Sequence, residues 1–295
     1  MLQVLRLRAT AMDAIRRFFA ERDFVEVETP TIVPSPGLDV HLCAFEVRDD
    51  RGRAVGWLGT SPEYQMKRLL SAGAERIFQL CRSYRSGEHG RHHEREFTML
   101  EWYRANASSE DVIVDTEELV AYVARALGAP DAGVLGSPWE RITVDEAFVR
   151  HAGATVDASD EERFFRVWVE RVQPELGKER PVVVTDWPPS MASLAKLNEN
   201  GTADRFEAFH RGIELCNGFG ELTDAKEQRR RFERDQANRR AAGRPVYPID
   251  ERFLEALEQG MPPSGGNALG VDRLLMLLSG AESIQAVMPF PEEEL

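Results

Sequence analysis

Two glutamates in the last third of the chain are the first residues whose placement points to chemistry. The segment RFEAFHRGIELCNGFGEL alternates as two strands, and a turn at His210–Arg211 would set Glu207 across from Glu214. Facing carboxylates repel unless something positive sits between them. Mg²⁺ on nucleotide phosphates would supply that charge, with oxygen ligands of suitable hardness. Two solvated glutamates are the plainer alternative. Beyond the turn, Asn217, Phe219 and Glu221 share a face, whereas Glu214 has the other parity. All four line one pocket only if the strand bulges near Cys216–Gly218, where Gly218 tolerates a bulge.

A second group lies on EFTMLEWYRA. Phe97, Met99, Glu101 and Tyr103 fall on one side of a strand, an aromatic platform followed by an acid able to hold a cation. A solvated sheet face would look similar. The partner strand RIFQLCRSYR ends at Arg85, and the loop between them carries Arg91, His92, His93 and Arg95. Arginine presents a planar fork suited to phosphate oxygens, although a basic loop alone is more often a solvated turn. The paired histidines lack the carboxylate–His spacing of a metal site. Glu63, Glu101 and Glu221, with Tyr103 and Asn217, would converge on a small cationic ligand, and an amino acid with two ammonium groups fits.

A third stretch is PPSGGNALGVDRLLMLLSG. A Gly-rich turn opening a helix is a common phosphate site. This one lacks the Lys-Ser/Thr of a P-loop and the G-x-G-x-x-G spacing of a dinucleotide fold. It reads as a glycine-lined strand feeding a helix whose first turn presents Arg273.

The elements that must position these residues are legible in outline. Ala11, Ile15, Phe18 and Phe19 form one face of a first helix, and Val25 and Val27 alternate in the strand after it. GWLGTSPEYQMKRLL reads as strand then helix, with Ser61 as N-cap and Pro62 in the first turn. Residues 106–130 and 145–178 look helical, RPVVVTDWPP is a buried strand, and DAKEQRRRFERDQANRRAAG is a charged helix. Antiparallel strands with interspersed helices, without regular β-α-β alternation, favour an α+β class.

Composition sets outer bounds. The chain has 295 residues, 42% hydrophobic, and a net charge of -13. The acidic balance argues against a broad nucleic-acid surface. No apolar run approaches a membrane span. Cys43, Cys81 and Cys216 lie too far apart for a disulfide framework or zinc site, so a cytoplasmic location is expected.

Taken together, these segments resemble the catalytic core of class II aminoacyl-tRNA synthetases. FFAERDFVEVETP resembles motif 1, YRSGEHGRHHEREF motif 2 and GNALGVDRLLML motif 3. TSPEYQMKRLL, EFTMLEWY and IELCNGFGELTDA resemble lysyl-tRNA synthetase, and FTMLEWYR and FQLCRSYR are especially like the elongation factor P–lysine ligases. The resemblance implies ATP and Mg²⁺ as cofactors. It places Arg85, Ser86, Gly87, Glu88, His93, Glu94, Phe97, Glu207, Glu214, Leu215, Gly270 and Arg273 around ATP, with Mg²⁺ on Glu207 and Glu214. Arg85, Arg273 and Glu214 become the catalytic set. Ser61, Pro62, Glu63, Glu101, Tyr103, Asn217, Phe219, Glu221 and Ala268 become the amino-acid pocket.

The same resemblance implies activation of (R)-β-lysine, or lysine, as an adenylate, and its transfer to a lysine of elongation factor P. A tRNA-like RNA or small amine as acceptor, and a non-catalytic paralogue, are the alternatives. It further implies a homodimer through motif 1, one catalytic domain over residues 1–295 with no anticodon-binding OB domain, and no tRNA partner. Three segments depart from the lysyl pattern. Gly87 stands where an acid is usual, with Glu88 following. Glu94 and Arg95 replace Asn and Pro, and Gly220 replaces a larger residue. Ala268 stands where lysyl-tRNA synthetases have Gly. Its methyl would crowd the α-amino group of lysine and favour an isomer whose amine sits one carbon along.

Overall fold

The structure, a computed structural model, describes residues 1–136 and 138–295. In chain order the helices are α1 (Leu2–Ala20), α2 (Glu63–Ser71), α3 (Ser109–Leu127), α4 (Val144–Ala152), α5 (Glu161–Val167), α6 (Ala225–Ala241), α7 (Glu251–Gly260) and α8 (Val271–Ser279). The strands are β1 (Val25–Glu26), β2 (Ile32–Val33), β3 (Glu46–Arg48), β4 (Ala54–Leu58), β5 (Arg76–Tyr84), β6 (Glu96–Ala105), β7 (Glu140–Thr143), β8 (Val182–Thr185), β9 (Arg205–His210), β10 (Ile213–Gly220) and β11 (Ser264–Gly270).

Among the described residues, eight strands form one sheet in the order β1-β5-β6-β11-β10-β9-β8-β7, and β2-β4-β3 form a small second sheet. Only the outer pairs of the large sheet, β1/β5 and β7/β8, are parallel. The α+β reading of the sequence therefore holds.

The sheet has two unlike faces. One packs against α1, α3 and α8. Phe18 and Phe19 of α1 are fully buried there, and Phe19 stacks on Phe78 of β5 at 4.6 Å. Such pairs add to the burial of two large rings. The other face carries a second core built from α2, α4, α5, α7 and β8. Over the middle of that face the core gives way to a cavity.

Local chemistry explains most element ends. Ser108 and Thr143 close capping boxes at the starts of α3 and α4, with Asp111 and Glu146 reaching back. Gly128, Gly153 and Gly280 end helices in the left-handed conformation. The helical reading of 145–178 is broken at Gly153, and helix resumes only at α5, which runs into a π turn at Trp168–Val172. Ser61 is not the N-cap of α2. Pro62 takes that position, while the Ser61 hydroxyl accepts from the Glu63 N–H at 3.0 Å. No helix among the described residues is long and apolar enough to cross a membrane.

Candidate active site

Four central strands lay out the site. Directly opposed residues of an antiparallel pair share a face. Across β6 and β11 the register sets Met99 against Gly270, Glu101 against Ala268 and Tyr103 against Gly266. Across β11 and β10, Ala268 meets Asn217 and Gly266 meets Phe219. Across β10 and β9, Asn217 meets Glu207 and Phe219 meets Arg205. Glycine at 266 is required by close approach: a Cβ there would lie 2.3 Å from the Tyr103 ring and 2.4 Å from Glu221 Oε1.

The parity of Glu214 is resolved by a bulge, one position earlier than the sequence reading placed it. Glu214 pairs with Phe209 and Cys216 with Ala208, so Leu215 is the extra residue. One inserted residue flips the alternation, which puts Glu214 on the face of Asn217 and Phe219. The hairpin turn is also one residue later than expected. Arg211 and Gly212 both have positive φ, 53° and 73°, as a two-residue type I′ turn demands. Glu207 and Glu214 are therefore one step apart along the face rather than directly opposed. Their charges still interact. Burial pushes the Glu207 carboxyl up to about 7, Arg205 opposes the rise, and Glu214 adds to it.

The cavity above this face has a volume of 460 Å³. Its arginine-bearing wall includes Arg85, Glu88, His93, Glu94, Phe97, Glu207, Glu214, Leu215, Gly270 and Arg273. Its other end includes Ser61, Glu63, Glu101, Asn217, Phe219 and Ala268. Of the residues singled out by sequence, Pro62, Ser86 and Gly87 do not line it, and Tyr103 and Glu221 lie buried behind its wall.

At the arginine end, Arg85 lies 5.0 Å from the centroid of the Phe97 ring and pairs with Glu88 at 3.2 Å. Glu88 thus reaches Arg85 in spite of Gly87. Among the described residues, Arg85 Nε is buried with no hydrogen-bond partner. An orphaned charged donor is costly, and a phosphate oxygen is the acceptor its geometry fits. Arg273 reaches the same space. Its Nε donates to the His92 carbonyl at 3.1 Å and its Nη1 to the Glu214 carbonyl at 3.2 Å. Its Nη2 lies 2.7 Å from His93 Nε2, which must accept because a guanidinium only donates. Burial and the Arg273 charge hold the His93 pKa below its usual value, which keeps that nitrogen free to accept. Glu94 is buried and turned toward Gln285, accepting from its Nε2 at 2.7 Å. Arg95 pairs with Glu292 at 2.8 Å. The chain's last turns thus brace the loop that departs from the lysyl pattern.

Asp272 also touches the cavity wall, but its carboxylate is engaged behind it. Its carboxylate takes Arg8 Nη1 at 2.5 Å and the Thr98 N–H at 2.6 Å. The Asp-Arg pair at the start of α8 is therefore an anchor followed by a pointer.

At the carboxylate end, Glu101 accepts from the Ser61 hydroxyl at 2.6 Å and from the Tyr103 hydroxyl at 3.0 Å. Burial, reinforced by Glu63, pushes Glu101 up to about 7. Glu221 rises to about 8 through burial, against the pull of Lys67. Lys67 was missed by sequence reasoning. Its ammonium is fully buried, 2.6 Å from Glu63 Oε1 and 2.5 Å from Glu221 Oε2. The Glu63–Lys67 spacing of four on a helix was the available signal. Arg205 was missed too. It donates to Asn217 Oδ1 at 3.2 Å and to the Met191 carbonyl at 2.9 Å, pairs with Glu207, and sits 4.6 Å from the Trp187 ring centroid. It ties both ends of the cavity together.

The arrangement offers cations at one end, carboxylates at the other, and two further glutamates beside the arginines. It suits a ligand with an anionic head and a cationic tail. Comparison with known proteins agrees with this chemistry. Residues 1–294 match the family described as tRNA synthetases class II (D, K and N). A curated relative from Edwardsiella ictaluri (strain 93-146), the elongation factor P–(R)-β-lysine ligase, is 44% identical over 302 residues, covering 96% of this chain and 93% of the relative.

Proposed function

The chain belongs to the class II tRNA synthetases of the D, K and N group, and from that premise we propose that it is an ATP-dependent ligase for a diamino acid, (R)-β-lysine or lysine. The activated product is an aminoacyl-adenylate. Its acceptor is the ε-amino group of a lysine on elongation factor P, the substrate named for the Edwardsiella relative. The observation that carries the reading is one cavity with an unpaired Arg85 donor at one end and Glu63 and Glu101 at the other.

In the first step the amino acid's carboxylate oxygen attacks the α-phosphorus of ATP, and pyrophosphate leaves in line. No protein nucleophile takes part. Arg85 would hold the α-phosphate, and Phe97 would stack on adenine. Arg273, released from His93 and Glu214, would face the developing charge, where a preorganised donor acts most strongly. Glu207 and Glu214 would hold Mg²⁺, which neutralises phosphate charge when bound. Binding two ends of the substrate fixes the attack distance. In the second step the acceptor's neutral amine attacks the adenylate carbonyl, the bond from the acyl carbon to the phosphate oxygen breaks with AMP taking the electron pair, and the amine's extra proton passes to solvent as the amide forms.

Ala268 sits between Glu101 and Asn217 in the sheet register and lines the cavity. That position supports a role in choosing between α- and β-lysine. Residues 1–295 act in this reading as one catalytic unit. Association into a homodimer through the motif 1 segment is supported by the exposure of Val25 within it and of Leu5 and Ile32 on either side of it.

ATP–pyrophosphate exchange with (R)-β-lysine, lysine and asparagine tests the first step, and transfer to elongation factor P or to tRNA tests the second. Exchange with a diamino acid followed by transfer to the protein is the expected result. Exchange with none of the three, or charging of tRNA instead, would overturn the proposal.

A further inference from the structure

Lys67 lies outside every role assigned so far, yet it is the most completely enclosed charge in the site. It projects from α2, and its ammonium is wedged between Glu63 of the same helix and Glu221 just past β10. The rings of Phe219 and Tyr103 lie 5.7 Å and 6.0 Å from it. Glu101 is held close by, through the Tyr103 hydroxyl and Ser61. Within this cluster the Lys67 ammonium and the Glu221 carboxylate are fully buried, while Glu63, 17% exposed, and the half-buried Ser61 face the cavity. An enclosed set of charges must come close to internal neutrality once its ligand is in place.

Counting the charges gives a specific result. Three carboxylates, Glu63, Glu101 and Glu221, stand against one ammonium, Lys67. Burial holds Glu101 and Glu221 partly protonated in the empty pocket; once the ammonium groups of a diamino acid draw both into the ionised form, the pocket carries two net negative charges against the substrate's two positive ones. Without Lys67 the same pocket would hold three negative charges against two. Resting on the diamino-acid reading above, we propose that Lys67 is a specificity-determining positioning residue. It fixes Glu63 and Glu221 in place and sets the pocket's charge to match a substrate with two ammonium groups.

The titratable groups that face Lys67 are Glu63 on its own helix, Glu221 after β10, and Glu101 and Tyr103 on β6. Removing the ammonium leaves three close carboxylates in a buried space. Like charges so placed cannot all ionise near neutrality. Glu101 and Glu221, already raised by burial and held down in part by Lys67, are pushed higher still, and the pocket loses attraction for the substrate until the pH is raised.

The test compares Lys67→Met and Lys67→Arg with the unmodified protein in ATP–pyrophosphate exchange, using both diamino acids at pH values from about 6 to about 9. In Lys67→Met, KM for the diamino acid should rise roughly tenfold or more near pH 7 and recover toward pH 9, while KM for ATP stays within about twofold. Lys67→Arg, which keeps the charge, should follow the unmodified pH profile. An unchanged diamino-acid KM and pH profile in Lys67→Met would overturn the proposal. So would equal loss in both variants, because charge would then not be what matters. Should Lys67→Met not fold, Lys67→Arg decides: a KM profile displaced like that expected for the methionine variant counts against the proposal, and a retained one supports it. Absence of exchange in the unmodified protein sinks the diamino-acid reading and this inference with it. Exchange in the unmodified protein with an unaffected methionine variant sinks this inference alone.

Discussion

Asp272 and Arg273 are sequence neighbours with separate partners, so replacing each with alanine should give opposite phenotypes. The Asp272 carboxylate is buried and holds Arg8, whose side chain is only 11% exposed and which also donates to the Val287 carbonyl and the Thr98 hydroxyl. Asp272→Ala leaves that guanidinium enclosed without its counter-charge, a loss of about 3–5 kcal/mol. With an unfolding entropy of about 2.1 cal/mol/K per residue over 295 residues, Tm should fall by roughly 5–8 °C. Arg273 bonds only on the cavity side, and its side chain is 20% exposed. Water can replace it at the His92 and Glu214 carbonyls, so Arg273→Ala should cost less than about 1 kcal/mol in stability. Its effect on chemistry should be large. One preorganised donor is worth about 10²–10³ in rate, and a cationic one on a phosphoryl group about 10³–10⁵. Exchange in Arg273→Ala should therefore fall about 10³-fold or more, with Tm nearly unchanged. Thermal unfolding and pyrophosphate exchange on both variants settle the matter. Exchange within about tenfold of the unmodified rate in Arg273→Ala, or an unshifted Tm in Asp272→Ala, would refute the division of labour.

Three further outcomes follow from the same geometry. Arg85→Lys keeps a charge but loses the fork whose Nε is unpaired, so exchange should fall about 10²-fold; KM for ATP and kcat measured together check it. Glu207 sits at about 7 because of burial, so acidification neutralises it. Mg²⁺ needs the ionised form, and the Mg²⁺ concentration for half-maximal exchange should climb as pH drops from about 8 to about 6; a flat profile would remove Glu207 from the metal site. Ala268→Gly deletes a methyl from the cavity wall and should raise lysine activation relative to (R)-β-lysine by about tenfold, the lower end of what one carbon can discriminate; an unchanged ratio would free Ala268 of that role.

The readings that came through from sequence are those carried by period-two alternation and by ordered segments. The α+β class, the long hairpin ending at Arg85 and the shared face of Phe97, Met99, Glu101 and Tyr103 all follow from strand parity. What escaped depended on contacts between distant segments. The need for a bulge was legible from the mismatch between Glu214 and Asn217, but its seat at Leu215 is set by the Arg211–Gly212 turn and by pairing with β9. Asp272 gave no sign of its partner because Arg8 lies 264 residues away. Lys67 was hidden for a different reason. A Glu-Lys spacing of four on a helix looks like a solvated surface pair, worth a few tenths of a kcal/mol. Only the fold brings Glu221 against the same ammonium and closes off the water. Three glutamates read from sequence as a site for two ammonium groups are one negative charge in excess when all are ionised, and either a raised carboxyl or a cation closes that gap. The fold uses both: burial holds Glu101 and Glu221 up, and Lys67 stands against Glu63, four residues away on its own helix, and against Glu221, which only the fold brings there.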